Sequence, residues 1–271
     1  MDQRTWNVAF NKRLKDGDEG KQAHFGLFYR DDRGRIRRMT EPEGHEVSHN
    51  PEAVERNPIG QESPSSVIRG YNDSFGKDIP INKGSPNYEY FSNFAAQRPT
   101  GNNALIEIFQ TNFMRDERGT SHYNYLTYAY MATCTVDTSN YTDGTITVNF
   151  TQDGDRRTGI MRRVDNKPDD GDPDMFEYEF VPASKIAIAS LDVSDDEVEL
   201  KEGEEKWVET SFSPLACPSD FTQESSDTDI CVVERRRQSV IIKGRKAGTA
   251  TVTVTSATDP TKKAEIEVTV S

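Results

Sequence analysis

The chain has 271 residues, 33% of them hydrophobic, with a mean hydropathy of -0.80 and a formal net charge of -13. The length exceeds the usual single domain of roughly 100–200 residues, so two domains are expected; no apolar run approaches the roughly 18 residues of a membrane span, and the expectation is a soluble chain. Residues 1–185 carry 29 acidic against 23 basic side chains and residues 186–271 carry 17 against 10, so neither part has the basic excess of a sequence-reading DNA binder.

Period-2 alternation bounded by Gly and Asp turns dominates the chain and predicts strands and hairpins. Phe25 to Arg30 and Arg35 to Met39 flank Asp31-Asp32-Arg33-Gly34 as a first hairpin. Residues 40–66 carry Pro42, Pro51, Pro58 and Pro64 among many charges and read as a long, largely irregular excursion. Ser85 is placed to cap a helix whose first position is Pro86. Tyr88, Phe91 and Ala95 share a face of that helix, and Arg98-Pro99 with Gly101 ends it.

Leu105 to Phe113 and Tyr123 to Thr135 flank Asp116-Glu117-Arg118-Gly119 as a second hairpin. Between Thr145 and Phe150, side chains of Ile146, Val148 and Phe150 fall on one face. Asp153-Gly154 is expected to turn the chain towards a further strand at Ile160 to Val164. Residues 165–174 read as a solvated loop, short of the spacing of a calcium-binding hand, before a last strand at Met175 to Val181. From about Ala187 the texture turns to Thr, Val and Ser alternation. Val208, Thr210 and Phe212 share a face, as do Ala250, Val252 and Val254, then Ile266, Val268 and Val270. That pattern describes a small β-sandwich, with the domain boundary near Pro182–Ile186.

His45-Glu46-Val47-Ser48-His49 matches the zinc-protease pattern HExxH, which needs both imidazoles on one helical face with the Glu as general base. Pro42 and Gly44 precede it and Asn50-Pro51 follows, so a helix would end almost on the second ligand, and the match reads as chance. No phosphate-cradling glycine loop, nucleophile elbow or Cys/His pairing is present, so no catalytic, cofactor or metal residue is assigned. Cys134, Cys217 and Cys231 are odd in number and contain no Cys-x-x-Cys, which favours buried thiols over a disulfide framework or structural zinc. The N-terminus, Met1-Asp2-Gln3-Arg4-Thr5-Trp6, lacks a basic-then-apolar secretory pattern, so synthesis in the cytosol is expected. The sequons at Asn72, Asn140 and Asn149 are then composition noise. Arg235-Arg236-Arg237 reads as a solvated turn, with contact to an acidic neighbour as the alternative.

Residues 187–271 resemble a bacterial Ig-like domain of group 2. The resemblance is carried by Val198-Glu199-Leu200-Lys201-Glu202-Gly203-Glu204, Ser211-Phe212-Ser213-Pro214, Ser225-Ser226-Asp227 leading into Ile230-Cys231-Val232-Val233, and Gly244 to Val254. The Trp usual just before Ser-Ser-Asp is Gln223 here, which leaves Phe221 to supply core volume. Residues 1–185 resemble phage major tail proteins more loosely. That resemblance rests on a helix at Pro86–Gln97, then Gly101-Asn102-Asn103-Ala104 and a strand at Leu105, then Asp143-Gly144-Thr145-Ile146-Thr147-Val148 and Arg157-Thr158-Gly159.

Together these resemblances imply a mainly β chain, a tail-tube-like sandwich or barrel with one helix over 1–185 and an Ig-like sandwich over 186–271. They further imply a virion protein of the phage tail tube, not an enzyme, that forms hexameric rings stacked head to tail. Its partners would be further copies of itself, the tape measure protein and other tail proteins, with genomic DNA passing through the lumen. Residues 1–20 and 40–66 would be long enough to reach a neighbour. A binding module that touches cell-surface glycans through the Ig-like domain is the alternative.

Overall fold

Strands make up most of the fold, and they segregate into two compact units, residues 1–180 and 181–271. The computed structural model describes residues 25–39, 47–56, 65–116, 124–169, 172–214 and 216–271. Among these residues, no helix is long and apolar enough to cross a membrane.

The first unit is built from β1 (Phe25–Arg30), β2 (Ile36–Arg38), β3 (Ser48–Arg56), β4 (Ser65–Pro80), α1 (Pro86–Gln97), β5 (Leu105–Asp116), β6 (Asn124–Asn140), β7 (Thr145–Asp169) and β8 (Asp172–Pro182). Its sheet runs β3-β4-β7-β6-β5-β1-β2-β8, and a further β7–β8 pairing closes the strands from β7 to β8 on themselves. β4 and β3 continue outward from β7. Side chains alternate across a strand, and this sheet buries both faces. Phe28, Phe109, Ala129 and Met161 pack with Tyr178 and Phe180 on one side. Leu27, Tyr29, Ile106, Ile108 and Tyr130 pack with Phe91 of α1 on the other.

α1 starts and stops as the sequence predicts. The Tyr88 backbone N–H donates to Ser85 Oγ at 3.5 Å, Pro86 opens the helix, and Arg98 closes it in the left-handed region at φ 48°. Its buried face is turned by one residue from the expected one: Phe91 is fully buried, and the residue buried one turn earlier is Asn87, with Tyr88 only partly covered. The Tyr29 hydroxyl donates to Asn87 Oδ1 at 3.0 Å, and Asn87 Nδ2 donates to the Arg38 carbonyl at 3.1 Å. A buried amide with both ends bonded costs little, and a hydrophobicity pattern does not register it.

The first hairpin forms where expected, with Arg30 opposite Ile36 and Gly34 at φ 80°. β5 and β6 also pair antiparallel as expected, although residues 117–119 of their turn lie outside the described residues. Three stretches differ. Residues 48–56, expected to be irregular, form β3 in antiparallel pairing with β4. Pro51 is tolerated there because β3 ends the sheet order, where a missing N–H costs no ladder bond. Residues 40–46 and 57–64, which hold Pro42, Pro58 and Pro64, lie outside the described residues, as does the arm at 1–20.

Asp153-Gly154 does not turn the chain, because β7 runs through it. Ala129 pairs with Arg157 and Met131 with Asp153, so Gly154, Asp155 and Arg156 all stand opposite Tyr130 as a bulge, with Gly154 at φ 79°. The polar stretch 165–174 is mostly ladder and not loop: β7 runs to Asp169, β8 starts at Asp172, and the two strands pair. Pairing satisfies backbone groups whatever the side chains, so polarity alone does not mark a loop.

The second unit is a two-sheet Ig-like sandwich. Its strands are β9 (Ser190–Val193), β10 (Glu197–Leu200), β11 (Glu205–Ser213), β12 (Phe221–Ser225), β13 (Cys231–Arg236), β14 (Ser239–Gly244), β15 (Gly248–Ser256) and β16 (Lys263–Val270). One sheet is β10-β16-β15-β12 and the other β13-β14-β11-β9; β10 lies parallel to β16 and the other pairs are antiparallel. The predicted inward residues from Val208 to Val270 meet in one core, with Phe212 at its margin and the Thr210 hydroxyl donating to the Gln238 carbonyl at 3.0 Å. Phe221, 2% exposed, fills the core while Gln223 is half-buried. Cys134, Cys217 and Cys231 are all buried and unbridged.

Candidate functional site

The second histidine of the HExxH match sits in a strand. His49 lies in β3 with its ring Nδ1 2.6 Å from Asp73 Oδ1, and His45 and Glu46 lie outside the described residues. Zinc-protease geometry needs the two histidines one helical turn apart, which an extended backbone from Ser48 onward does not give.

Asp73 itself is fully buried, and its other oxygen accepts from Arg156 Nη1 at 3.2 Å. Arg156 comes from the β7 bulge and lies 4.3 Å from the centre of the Tyr128 ring. Burial first, and then the charge of Asp73, push the nearby Tyr130 hydroxyl well above its ordinary range. It therefore stays protonated and accepts from Gln110 Nε2 at 2.8 Å. His49, Asp73 and Arg156 thus clamp β3, β4 and β7 together where the sheet divides. Residues 74–80 of β4 pair with β7, whereas among the described residues 65–73 pair only with β3.

Beyond the clamp, residues 74–80 of β4, 145–151 of β7 and 133–140 of β6 form a polar sheet segment. Ile79, Ile146, Val148, Phe150 and Cys134 point into the core under α1. The other face carries Gly76 and Asp78 from β4, Thr147 and Asn149 from β7, and Thr135 and Asp137 from β6. The Thr147 hydroxyl donates to Asp78 Oδ1 at 2.6 Å, and Asn149 Nδ2 donates to Asp137 Oδ2. Asn149 lies across from Gly76, where an added Cβ would come within 2.7 Å of its amide oxygen. The one basic residue of these segments, Lys77, is 6% exposed and belongs to the other face. The face is thus small, polar and acidic.

The sheet that carries this array is open at two edges, β3 and residues 134–140 of β6. Among the described residues β6 pairs only with β7 from Cys134 to Asn140, and β3 pairs only with β4. Alternation in the sequence identified Ile146, Val148 and Phe150 as one face, but Ile79, Cys134, the open edges and the bulge depend on which strands become neighbours.

In the second unit, the basic run divides. Arg235 meets Asp220 at 3.0 Å, donates to the Phe221 carbonyl at 3.0 Å and stacks 4.4 Å from the Phe221 ring, joining β13 to β12. Arg237 forms the turn at φ 54°. Arg236 reaches to 5.9 Å from the ring of Trp207, which is 51% exposed on β11 opposite Ile241.

The class these features define is a β protein of two units, one an Ig-like sandwich and the other a partly closed sheet with open edges. No family model matches the chain, and no curated protein matches it. Among solved structures it is similar to the C-terminal 282-residue fragment of intimin, described in complex with the intimin-binding domain of the translocated intimin receptor. The identity is 16% and the TM-score 0.23, over 61% of this chain and 57% of that one. It is also similar to domains 1–6 of the surface layer protein SbsC at 12% identity and a TM-score of 0.27, over 87% of this chain and 41% of that one. The chain thus spans about half the length of the structures it matches.

Proposed function

We propose that this chain is a structural virion protein that self-assembles into stacked rings forming a phage tail tube. The observation behind the reading is the polar segment of β4, β7 and β6, part of a sheet with open edges at β3 and at Cys134–Asn140. An edge on one copy can pair with a different edge on the next, a heterologous contact that closes into a ring. A hexamer is the expected ring. α1 occupies the other face, so the uncovered face of Thr, Asn, Gly and Asp would look into the lumen. Asp78 and Asp137 there repel phosphate, which lets DNA pass without being held.

In this reading the tape measure protein and the genome occupy the lumen in turn, and the chain is made in the host cytoplasm and ends in the virion. It is not an enzyme, and it needs no cofactor. Electron microscopy of the purified protein is the test: rings or tubes are expected, and monomers at every concentration would overturn the reading. Assembled tubes should also fail to retain duplex DNA at near-physiological salt.

A second reading, a surface or virion-decoration module that contacts glycans, is favoured by the exposed Trp207 on β11. It predicts glycan binding that is lost in Trp207→Ala, from a protein that forms no rings.

A further inference from the structure

The hairpin of β3 and β4 continues past the clamp at Asp73 as a two-stranded ribbon, residues 48–56 against 65–74. Pro51 lies opposite Tyr71 and Ala53 opposite Ile68; between them Glu52 lies opposite Gly70, so Arg69 is an extra residue in β4. Opposed residues share a face and alternate residues return to it. Pro51, Ala53, Ile68 and Tyr71 therefore stand on one side, the same side as His49 and the partly buried Val47. The bulge at Arg69 is what keeps Ile68 and Tyr71 together. This side is the core face of the sheet carried beyond the core, and there it is exposed: Ile68 at 53% and Tyr71 at 56%. Near the root, the opposite side holds Ser48, Asn50, Glu52 and Asn72; farther out Val54 pairs with Val67. A lone two-stranded ribbon is marginal in water, and Ile68 and Tyr71 exposed side by side on it call for a covering surface.

The same unit offers one at its far end. In register, Pro80 pairs with Thr145 and Ser74 with Thr151, so the β6–β7 turn at residues 141–144 and the root of the ribbon lie at opposite ends of the polar segment, about 20 Å apart. That turn presents Tyr141, 81% exposed. Asn140 Oδ1 fixes it by accepting from the backbone N–H groups of Thr142 and Asp143, each at 3.1 Å. An apolar arm at one end and an exposed aromatic ring at the other cannot meet within one chain, but they meet when copies stack head to tail.

We infer that the β3–β4 ribbon docks its Ile68 and Tyr71 face on the β6–β7 turn, around Tyr141, of a second copy in the adjoining ring. The inference takes its partner from the self-assembly reading. The full chain carrying both Tyr71→Cys and Tyr141→Cys tests it under mild oxidation, since the native cysteines are buried. The expected result is a reducible ladder of multimers from the double variant, with no ladder from either single variant. Ile68→Asp with Tyr71→Asp should leave rings but reduce stacked tube more than about tenfold, given the apolar surface lost from each contact. Tubes that form with no ladder, and that tolerate both aspartates, would overturn the docking while leaving ring assembly intact. A chain that never assembles removes both.

Discussion

At Asp31 a short polar side chain organises a hairpin. Its Oδ1 accepts from the Arg35 backbone N–H at 2.9 Å, and its Oδ2 accepts from Arg37 Nε at 2.8 Å. Burial alone would raise its pKa, but the bonds from Arg37 and Arg35 and their charges together hold the carboxyl below its ordinary range. A depressed carboxyl contributes stability that is present above the unfolded value of about 3.9 and is lost as pH falls through the folded value. Asp31→Asn should therefore lower stability at pH 6 and flatten the acid limb below about pH 4, read by chemical denaturation at both pH values. Cys134 behaves oppositely: burial pushes its thiol up to about 12. A neutral buried thiol is a packing group, inert to thiol reagents until the unit opens.

At the scale of elements, strand identity follows from alternation, but ladder geometry follows from close approach. Gly244 in β14 shows the difference. A Cβ there would meet the Lys201 carbonyl oxygen at 2.8 Å and Val270 Cγ1 at 3.1 Å. The Gly244 N–H meanwhile donates to the Glu204 carbonyl at 3.0 Å, so the backbones cannot easily separate. Gly244→Ala should cost about 1–3 kcal/mol by overpacking. In calorimetry the transition of the second unit should fall while that of the first stays put. Gly154 plays a different part: at φ 79° it provides the bulge that carries Arg156 to Asp73. In sequence Asp153-Gly154 reads as a hairpin turn, because a left-handed glycine serves both purposes.

For the whole molecule, each unit holds its own apolar core. Phe91, Tyr29 and Phe150 belong to one, and Val208, Val252 and Ile266 to the other. A unit that buries its own core should fold without its neighbour. In the tube reading the ring contacts belong to the first unit, so a chain ending at Ser184 should still assemble, and residues 186–271 should unfold cooperatively alone. A truncated chain that stays monomeric while the full chain assembles would make the sandwich part of the ring contact.

Local pattern was enough for the strand-rich character, the capped helix at Pro86–Gln97, the first hairpin and the inward residues of β11, β15 and β16. These are local facts, set by period-2 alternation, a Ser-Pro helix start and turn residues at fixed offsets. Phe221 as replacement core volume was legible too, since an aromatic two residues from Gln223 shares its strand face. Tertiary structure alone decided that residues 48–56 are an edge strand, that β7 runs through Gly154, that Asn87 is buried and that Asp73 is clamped by His49 and Arg156. Each depends on a partner far away in the chain, from Arg38 for Asn87 to Arg156 for Asp73. Backbone pairing and polar burial are satisfied by neighbours in space, and local periodicity carries no record of them.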